Sequence, residues 1–268
     1  MATPDRWKEP MKTQHTSGQL GSGARDWAQF QESHFRPFYE AILDRVGIRG
    51  DTQLLDVGCG PGGAAVLAAA RGARVAGLDI SATAVELAAE RVPNGDFRVG
   101  DMESLPWTDG FFDVVTGFNS FQFARNRVAA LVEARRVLNG FGKLGIVVWA
   151  RPEQSQQPRV MAAISALAPS QPPDAPGPFA LSKPGALESA LESAGFKSVA
   201  TGEIPIEVGY PDGDTACKAM MAGSAGVRAV QHSGEERVKQ TILQALEEYR
   251  SDTGGYRMAN RFRFVIAE

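Results

Sequence analysis

Three aspartates stand at the ends of short apolar runs: Asp56 in Leu54-Leu55-Asp56-Val57, Asp79 in Arg74-Val75-Ala76-Gly77-Leu78-Asp79, and Asp101 in Phe97-Arg98-Val99-Gly100-Asp101. Directly after the first run comes Gly58-Cys59-Gly60-Pro61-Gly62-Gly63, and then the alanine-rich stretch 64–70. Glycine admits positive φ and carries no Cβ, so such a turn bends sharply and lets backbone N–H groups approach a ligand closely. A strand, a glycine turn and a helix in that order make a ligand loop, and carboxylates beside it can accept hydrogen bonds from hydroxyl or amino groups, or attract a cation.

Gly58, Gly60 and Gly63 have the spacing of a dinucleotide fingerprint, and Asp79 follows Gly60 by 19 residues, about where a ribose-binding acid belongs. On these features alone NAD and S-adenosylmethionine fit equally well. Asp56 and Asp101 tell them apart. A carboxylate at Asp56 would repel a pyrophosphate, whereas the sulfonium and ammonium of S-adenosylmethionine are cations it attracts.

The run from Leu54 to Gly63, followed by Gly77-Leu78-Asp79-Ile80-Ser81, Gly100-Asp101-Met102-Glu103-Ser104-Leu105-Pro106-Trp107, Phe112-Asp113-Val114-Val115 and Arg136-Val137-Leu138, resembles the class I S-adenosylmethionine-dependent methyltransferases. Within that superfamily it looks like the ubiquinone-biosynthesis-like branch that acts on small molecules. The resemblance covers roughly residues 50–150 and keeps the family's motif order. It implies S-adenosylmethionine as cofactor, contacted by Asp56, Gly58, Cys59, Gly60, Gly62, Asp79, Ile80, Ser81, Asp101, Met102, Glu103, Asn119 and Ser120. Within that set it implies that Asp79 accepts from the ribose hydroxyls and Ile80 packs on adenine. Asp101 would accept from the adenine amino group, the Met102 N–H would meet a ring nitrogen, and Asn119 and Ser120 would lie at the methionine end. One departure is Asn139-Gly140-Phe141-Gly142, where relatives carry a Pro-Gly-Gly turn.

The elements that must hold these residues follow from periodicity and punctuation. Strands are expected at 54–57, 75–78, 97–99, 112–116 and 143–149, and helices at 62–71, 82–92 and 128–138, with Ser81 capping the second. Such alternation predicts an α/β fold, a doubly wound Rossmann-like parallel sheet with helices on both faces, whose strand carboxyl ends gather Gly58, Asp79, Asp101 and Asn119 in one cleft. Beyond residue 150 come a helix near 159–167, a proline-rich connection over 169–178, a helix over 184–194, a strand over 198–208, a helix over 235–249 and a closing strand over 261–266. By the resemblance these complete about seven strands, the last antiparallel.

Residues 1–23 are polar and glycine-rich and read as a flexible arm. Residues 24–46 read as two helical pieces interrupted at Pro37, with Trp27, Phe30, Phe38 and Tyr39 either forming a lid over the cleft or, for residues 38–46, a helix fixed against the sheet's outer face. The rest, 24–268, is one methyltransferase domain: a cofactor core at 50–150 and acceptor-side insertions in 151–268. Phe38, Tyr39, Phe121 and Trp149 serve either the acceptor pocket or the core. Asp113 lies at the start of its strand, away from the cleft, and is structural.

The 268 residues are 43% apolar, with a net charge of −3, and a pI near 5.8. This carries no overall electrostatic footprint for nucleic acid, and no apolar run reaches the length of a membrane span. Two cysteines, Cys59 and Cys217, and an N-terminus without a secretory apolar core suggest a cytoplasmic protein. His15, His34 and His232 are isolated, so neither a metal site nor a catalytic base is assigned. The expected activity is methyl transfer to oxygen, nitrogen or carbon of a small organic acceptor. An NAD-dependent oxidoreductase, or a cofactor-binding protein without turnover, is the alternative. The acceptor's identity and the oligomeric state are not encoded in these features.

Overall fold

The computed structural model describes residues 23–268 except 171, 173 and 174. The flexible arm expected over 1–23 lies outside the described residues, apart from Gly23, which opens the first helix.

The chain runs α1 (Gly23–Phe30), α2 (Glu32–Val46), β1 (Gln53–Val57), α3 (Gly63–Ala70), β2 (Arg74–Asp79), α4 (Ala82–Arg91), β3 (Asp96–Val99), β4 (Phe112–Phe118), α5 (Arg127–Val137) and β5 (Leu138–Trp149). It continues with α6 (Gln157–Ser165), α7 (Ala186–Ser193), β6 (Ser198–Tyr210), α8 (Gly213–Ala222), α9 (Ser224–Ser233), α10 (Glu235–Leu246) and β7 (Tyr256–Ala267). The sheet has seven strands in the order β3-β2-β1-β4-β5-β7-β6. Strands β1 to β5 are parallel, and β7 runs antiparallel to both β5 and β6. Strand order reverses at β1 and β4, so the ends of these two strands open the crevice where such sheets take ligands.

The central strands are apolar because helices cover both faces. On one face α2, α3, α6 and α8 to α10 share a core that includes Ile42, Ala65, Ile164, Met220 and Ile242. On the other, Leu131 of α5 and Leu187 and Leu191 of α7 pack with Leu55 and Val115.

The structure corrects several boundaries. The N-terminal break falls at Gln31, not at Pro37, which lies inside α2. One missing N–H in the second turn forfeits a single helical bond, while Phe35, Phe38, Tyr39, Ile42, Leu43 and Val46 continue one buried face across it. Gln31 instead makes the joint: its side chain donates to the Ala219 carbonyl at 3.3 Å and accepts from the Tyr210 hydroxyl at 3.0 Å. Helices α8 and α9 stand where no element is expected, α6 lies two residues earlier than expected, and α7 and α10 are shorter. β6 and β7 run longer because they pair along nearly their whole length, and β5 begins earlier, at Leu138, which pairs with Phe112 of β4 ahead of a register shift. The Asn139 departure is accommodated at the foot of β5. There Asn139 donates to Asp113 at 2.6 Å, and Asp113 also accepts from the Gln53 N–H at 2.8 Å, which gives it the structural role expected of it.

Candidate functional site

The glycine loop is held from below and left open above. Gly58 and Cys59 donate their N–H groups to the Leu78 carbonyl at 2.7 and 3.0 Å, pinning the loop to β2. Gly58, Gly60 and Gly62 have φ of +72°, +52° and +87°. A Cβ on Gly58 would collide with that of Ser120, whereas one on Gly60 would meet nothing within 4 Å. Gly60 therefore faces open space that a ligand can use, and Gly58 is small because another strand end crowds it.

Asp79 closes the loop from the neighbouring strand. One carboxylate oxygen accepts from the Gly60 N–H and the other from the Ser81 N–H, both at 2.9 Å. Burial raises its pKa, opposed by the backbone bonds from Ser81, Gly60 and Ile80. Ser81 caps α4, accepting from the Ala84 N–H at 3.3 Å. Ile80 stands 78% exposed, an apolar side chain unused by the fold. Asp79 pairs with Val99 across the sheet, which sets Asp101 two residues beyond the same end of β3. Asp101 is exposed, and it accepts from the Glu103 N–H at 2.9 Å. The Glu103 carboxylate accepts from the Asn126 N–H at 2.9 Å.

Asp56 is fully enclosed and takes one hydrogen bond, from the Thr116 hydroxyl at 2.8 Å. Burial pushes its pKa up to about 7, against the Thr116 bond and with help from the Asp79 charge. Burial also raises the Cys59 thiol well above its ordinary value, so it is a packed side chain and not a nucleophile.

A cavity of about 680 Å³ opens from this point, lined by Asp56, Gly58, Cys59, Gly60 and Asn119 on the loop side. Asn119 has φ of +52°, the one described non-glycine residue in the left-handed region. Beyond it the wall is mainly apolar: Trp27, Phe35, Tyr39, Trp149, Met161, Ile164, Phe179 and Met220. Of the four aromatics considered from sequence, Tyr39 and Trp149 line the cavity, while Phe38 and Phe121 are fully buried core. The segment expected to be a lid divides: Trp27 of α1 and Gln31, Glu32, Phe35 and Tyr39 face the cavity, and Ile42 and Val46 pack on Gly145 of the sheet.

The structure thus brings Asp56, Gly58, Cys59, Gly60 and Asn119 onto one wall, joins Asp79, Ile80 and Ser81 to it through the Gly60 bond, and leaves Asp101, Met102 and Glu103 on the adjoining strand end outside the enclosed part. Gly62 and Ser120 support the loop from outside the cavity wall. Glu32, Met161, Met220, Arg228 and, from the proline-rich connection, Pro169, Ser170 and residues 176–179 belong to the cavity wall, and local pattern does not point to them. None sits in a motif, and the proline-rich composition of the connection says nothing about what it covers.

Among the described residues no helix is long and apolar enough to cross a membrane. Residues 55–146 match the family model described as a methyltransferase domain. The chain is 34% identical over 185 residues to the nocamycin O-methyltransferase of Saccharothrix syringae, covering 62% of this chain and 66% of that one. It is 31% identical to the trans-aconitate 2-methyltransferase of Paracidovorax citrulli (strain AAC00-1), covering 53% and 55%. The chain spans between about a third and two thirds of the curated relatives it matches first. The fold is similar to a crystal structure of a methyltransferase from Bacillus halodurans C-125, with a TM-score of 0.59 and 17% identity over 85% of this chain and 97% of that one.

Proposed function

We propose, for a chain that belongs to the class I S-adenosylmethionine-dependent methyltransferase superfamily, that it methylates an oxygen, nitrogen or carbon of a small organic acceptor held in the chamber beside the glycine loop. The observation that carries this reading is that Asp56 and the open face of Gly60 share one cavity with an apolar wall built from α1, α2, α6 and α8.

The residues present suit the cofactor. Asp56 is a buried carboxylate with no cationic partner among the described residues, a setting that a cationic ligand completes. Asp79 and Ile80 stand where a ribose and an adenine face would lie, Asp101 and the Met102 backbone at the adenine edge, and Asn119 and the Gly58–Gly60 backbone at the methionine end. When bound, S-adenosylmethionine supplies a methyl group made electrophilic by its sulfonium. The chain's part is to orient and to exclude water. Glu32 of the cavity wall is already bound to Arg91, and the Tyr39 hydroxyl is driven far above its ordinary pKa by burial. With Asp56 assigned to the cofactor's cation and neither of these free to act as a base, positioning is the main device, and the acceptor brings its own nucleophile. A chamber of about 680 Å³ fits a small molecule rather than a polymer. The free thiols of Cys59 and Cys217 support a cytoplasmic setting.

Calorimetric titration with S-adenosylhomocysteine and with NAD tests the cofactor, and S-adenosylhomocysteine production across a panel of hydroxyl, amine and enol acceptors tests turnover. Binding of the first ligand alone, with product from at least one acceptor, is the expected result. Binding of NAD in its place overturns the reading.

A further inference from the structure

Arg228 is the one cationic side chain on the cavity wall among the described residues. It sits in α9, next to a corner that packing makes rigid: a Cβ on Gly226 would run into the backbone of Met220 and Met221, so α9 lies hard against α8. The side chain is half-buried. Its Nε is fully buried and has no hydrogen-bond acceptor. Nor does its guanidinium make an ion pair with any described residue. Of the other charged groups on the wall, Glu32 is paired with the Arg91 guanidinium at 2.6 Å, and Asp56, which accepts only from the Thr116 hydroxyl, is the group assigned above to the cofactor's cation. The buried Nε is out of a ligand's reach, but the guanidinium as a whole lines the cavity with no counter-ion among the described residues, so its terminal N–H groups are the ones open to an anionic partner that the chain does not itself supply.

We infer that the acceptor carries an anionic group, a carboxylate or a comparably acidic oxygen, which accepts hydrogen bonds from Arg228 while its apolar body lies along Met161, Ile164 and Met220. The inference rests on the methyltransferase reading and names the class of acceptor within it. Two features of the cavity agree with it. Helix α9 packs against α6 and α8, which bring Met161, Ile164 and Met220 to the cavity wall beside Ser165 and Ser224, and such partly apolar surroundings strengthen a charge-assisted bond. The absence of a free base among the described wall residues also suits an acceptor that is ionised before it binds. The acidic end of the cavity, at Asp56, lies on the loop side and suits the cofactor's cations; Arg228 sits on the helical side and suits the opposite charge.

The test uses the full chain with and without S-adenosylhomocysteine, and two probes of equal length, 4-phenylbutyrate and 4-phenylbutan-1-ol, titrated calorimetrically. Wild type should bind the carboxylate about tenfold or more tighter than the alcohol, the scale of one charge-assisted bond. Arg228→Met should abolish that preference while the alcohol's affinity, the S-adenosylhomocysteine affinity and the melting temperature stay unchanged. Arg228→Lys should retain part of it. Equal binding of the two probes by wild type, failure of both to bind, or a preference that survives Arg228→Met overturns the inference. So does a loss of S-adenosylhomocysteine affinity in Arg228→Met, which would assign the guanidinium to the cofactor's own carboxylate. If wild type does not bind S-adenosylhomocysteine at all, the methyltransferase reading fails instead, and the probe preference without ligand still decides the anion site.

Discussion

Glu32 and Arg91 form a two-bonded ion pair at 2.6 and 2.8 Å, and the same guanidinium donates to the Pro61 carbonyl at 2.7 Å. One arginine at the end of α4 thus ties the N-terminal helix α2 to the glycine loop. The pair is mostly buried, so removing one partner strands the other. Glu32→Gln should cost about 2 kcal/mol in urea unfolding and weaken S-adenosylhomocysteine binding as the loop loosens. Glu40→Gln, which breaks only the exposed pair with Arg36, should leave stability within about 0.5 kcal/mol of wild type.

Gly58→Ala sets a Cβ against Ser120 in a backbone of positive φ. The strain should amount to about 1 to 3 kcal/mol, read as a lower denaturation midpoint together with weaker cofactor binding. The double variant with Ser120→Gly relieves the collision but not the φ penalty, and should recover only part of the loss. Full recovery would show that the backbone conformation at Gly58 matters little.

Asp56 should make cofactor binding pH-dependent. Its pKa in the free protein is raised to about 7, and a cationic ligand prefers the ionised form, so below that pH binding must expel a proton. Affinity for S-adenosylhomocysteine should rise with pH, approaching about tenfold per unit between roughly pH 5.5 and 6.5, and level off above about 7.5. For the free protein the sign is opposite. The fold favours the protonated carboxyl, so this group's contribution to stability is full below the ordinary carboxylate range and is lost as pH rises from there to about 7. Calorimetry in buffers of different ionisation enthalpy reads the proton release directly, and Asp56→Asn should flatten both profiles.

Asp79 serves the fold as well as the ligand, because its two oxygens already accept from Gly60 and Ser81. Asp79→Ala should therefore lose both cofactor affinity, by about 1.5 to 3 kcal/mol, and stability, by about 1 to 2 kcal/mol. An unchanged affinity with a lowered melting temperature would leave Asp79 a purely structural residue of the loop.

What could be read without coordinates was whatever is written locally. The glycines of the loop announce themselves because only glycine adopts their φ freely, and the alternation of strands and helices across β1 to β5 follows from periods of two and near four with clear stops. Ser81 as a helix cap and Asp113 as a strand-foot residue are of the same kind, each acting on backbone within reach of its own segment or the next strand. The sequence motifs also placed Asp56, Asp79 and Asp101 at strand ends, since parallel strands bring their carboxyl ends to one edge.

Tertiary packing decided the rest. Pro37 continues a helix because a buried face on both sides of it outweighs one lost hydrogen bond. Phe38 and Phe121 fill the core while Tyr39 and Trp149 face the cavity, a distinction between neighbours in sequence that depends on which side chains from other elements reach each ring. Glu32 and Arg91 are 59 residues apart, and the chamber wall is gathered from α1, α2, α6, residues 169, 170 and 176–179, α8 and α9. The charge state of Asp56 and the lone guanidinium of Arg228 arise only there, because desolvation and the presence or absence of a partner are properties of the assembled surroundings and of no single stretch of chain.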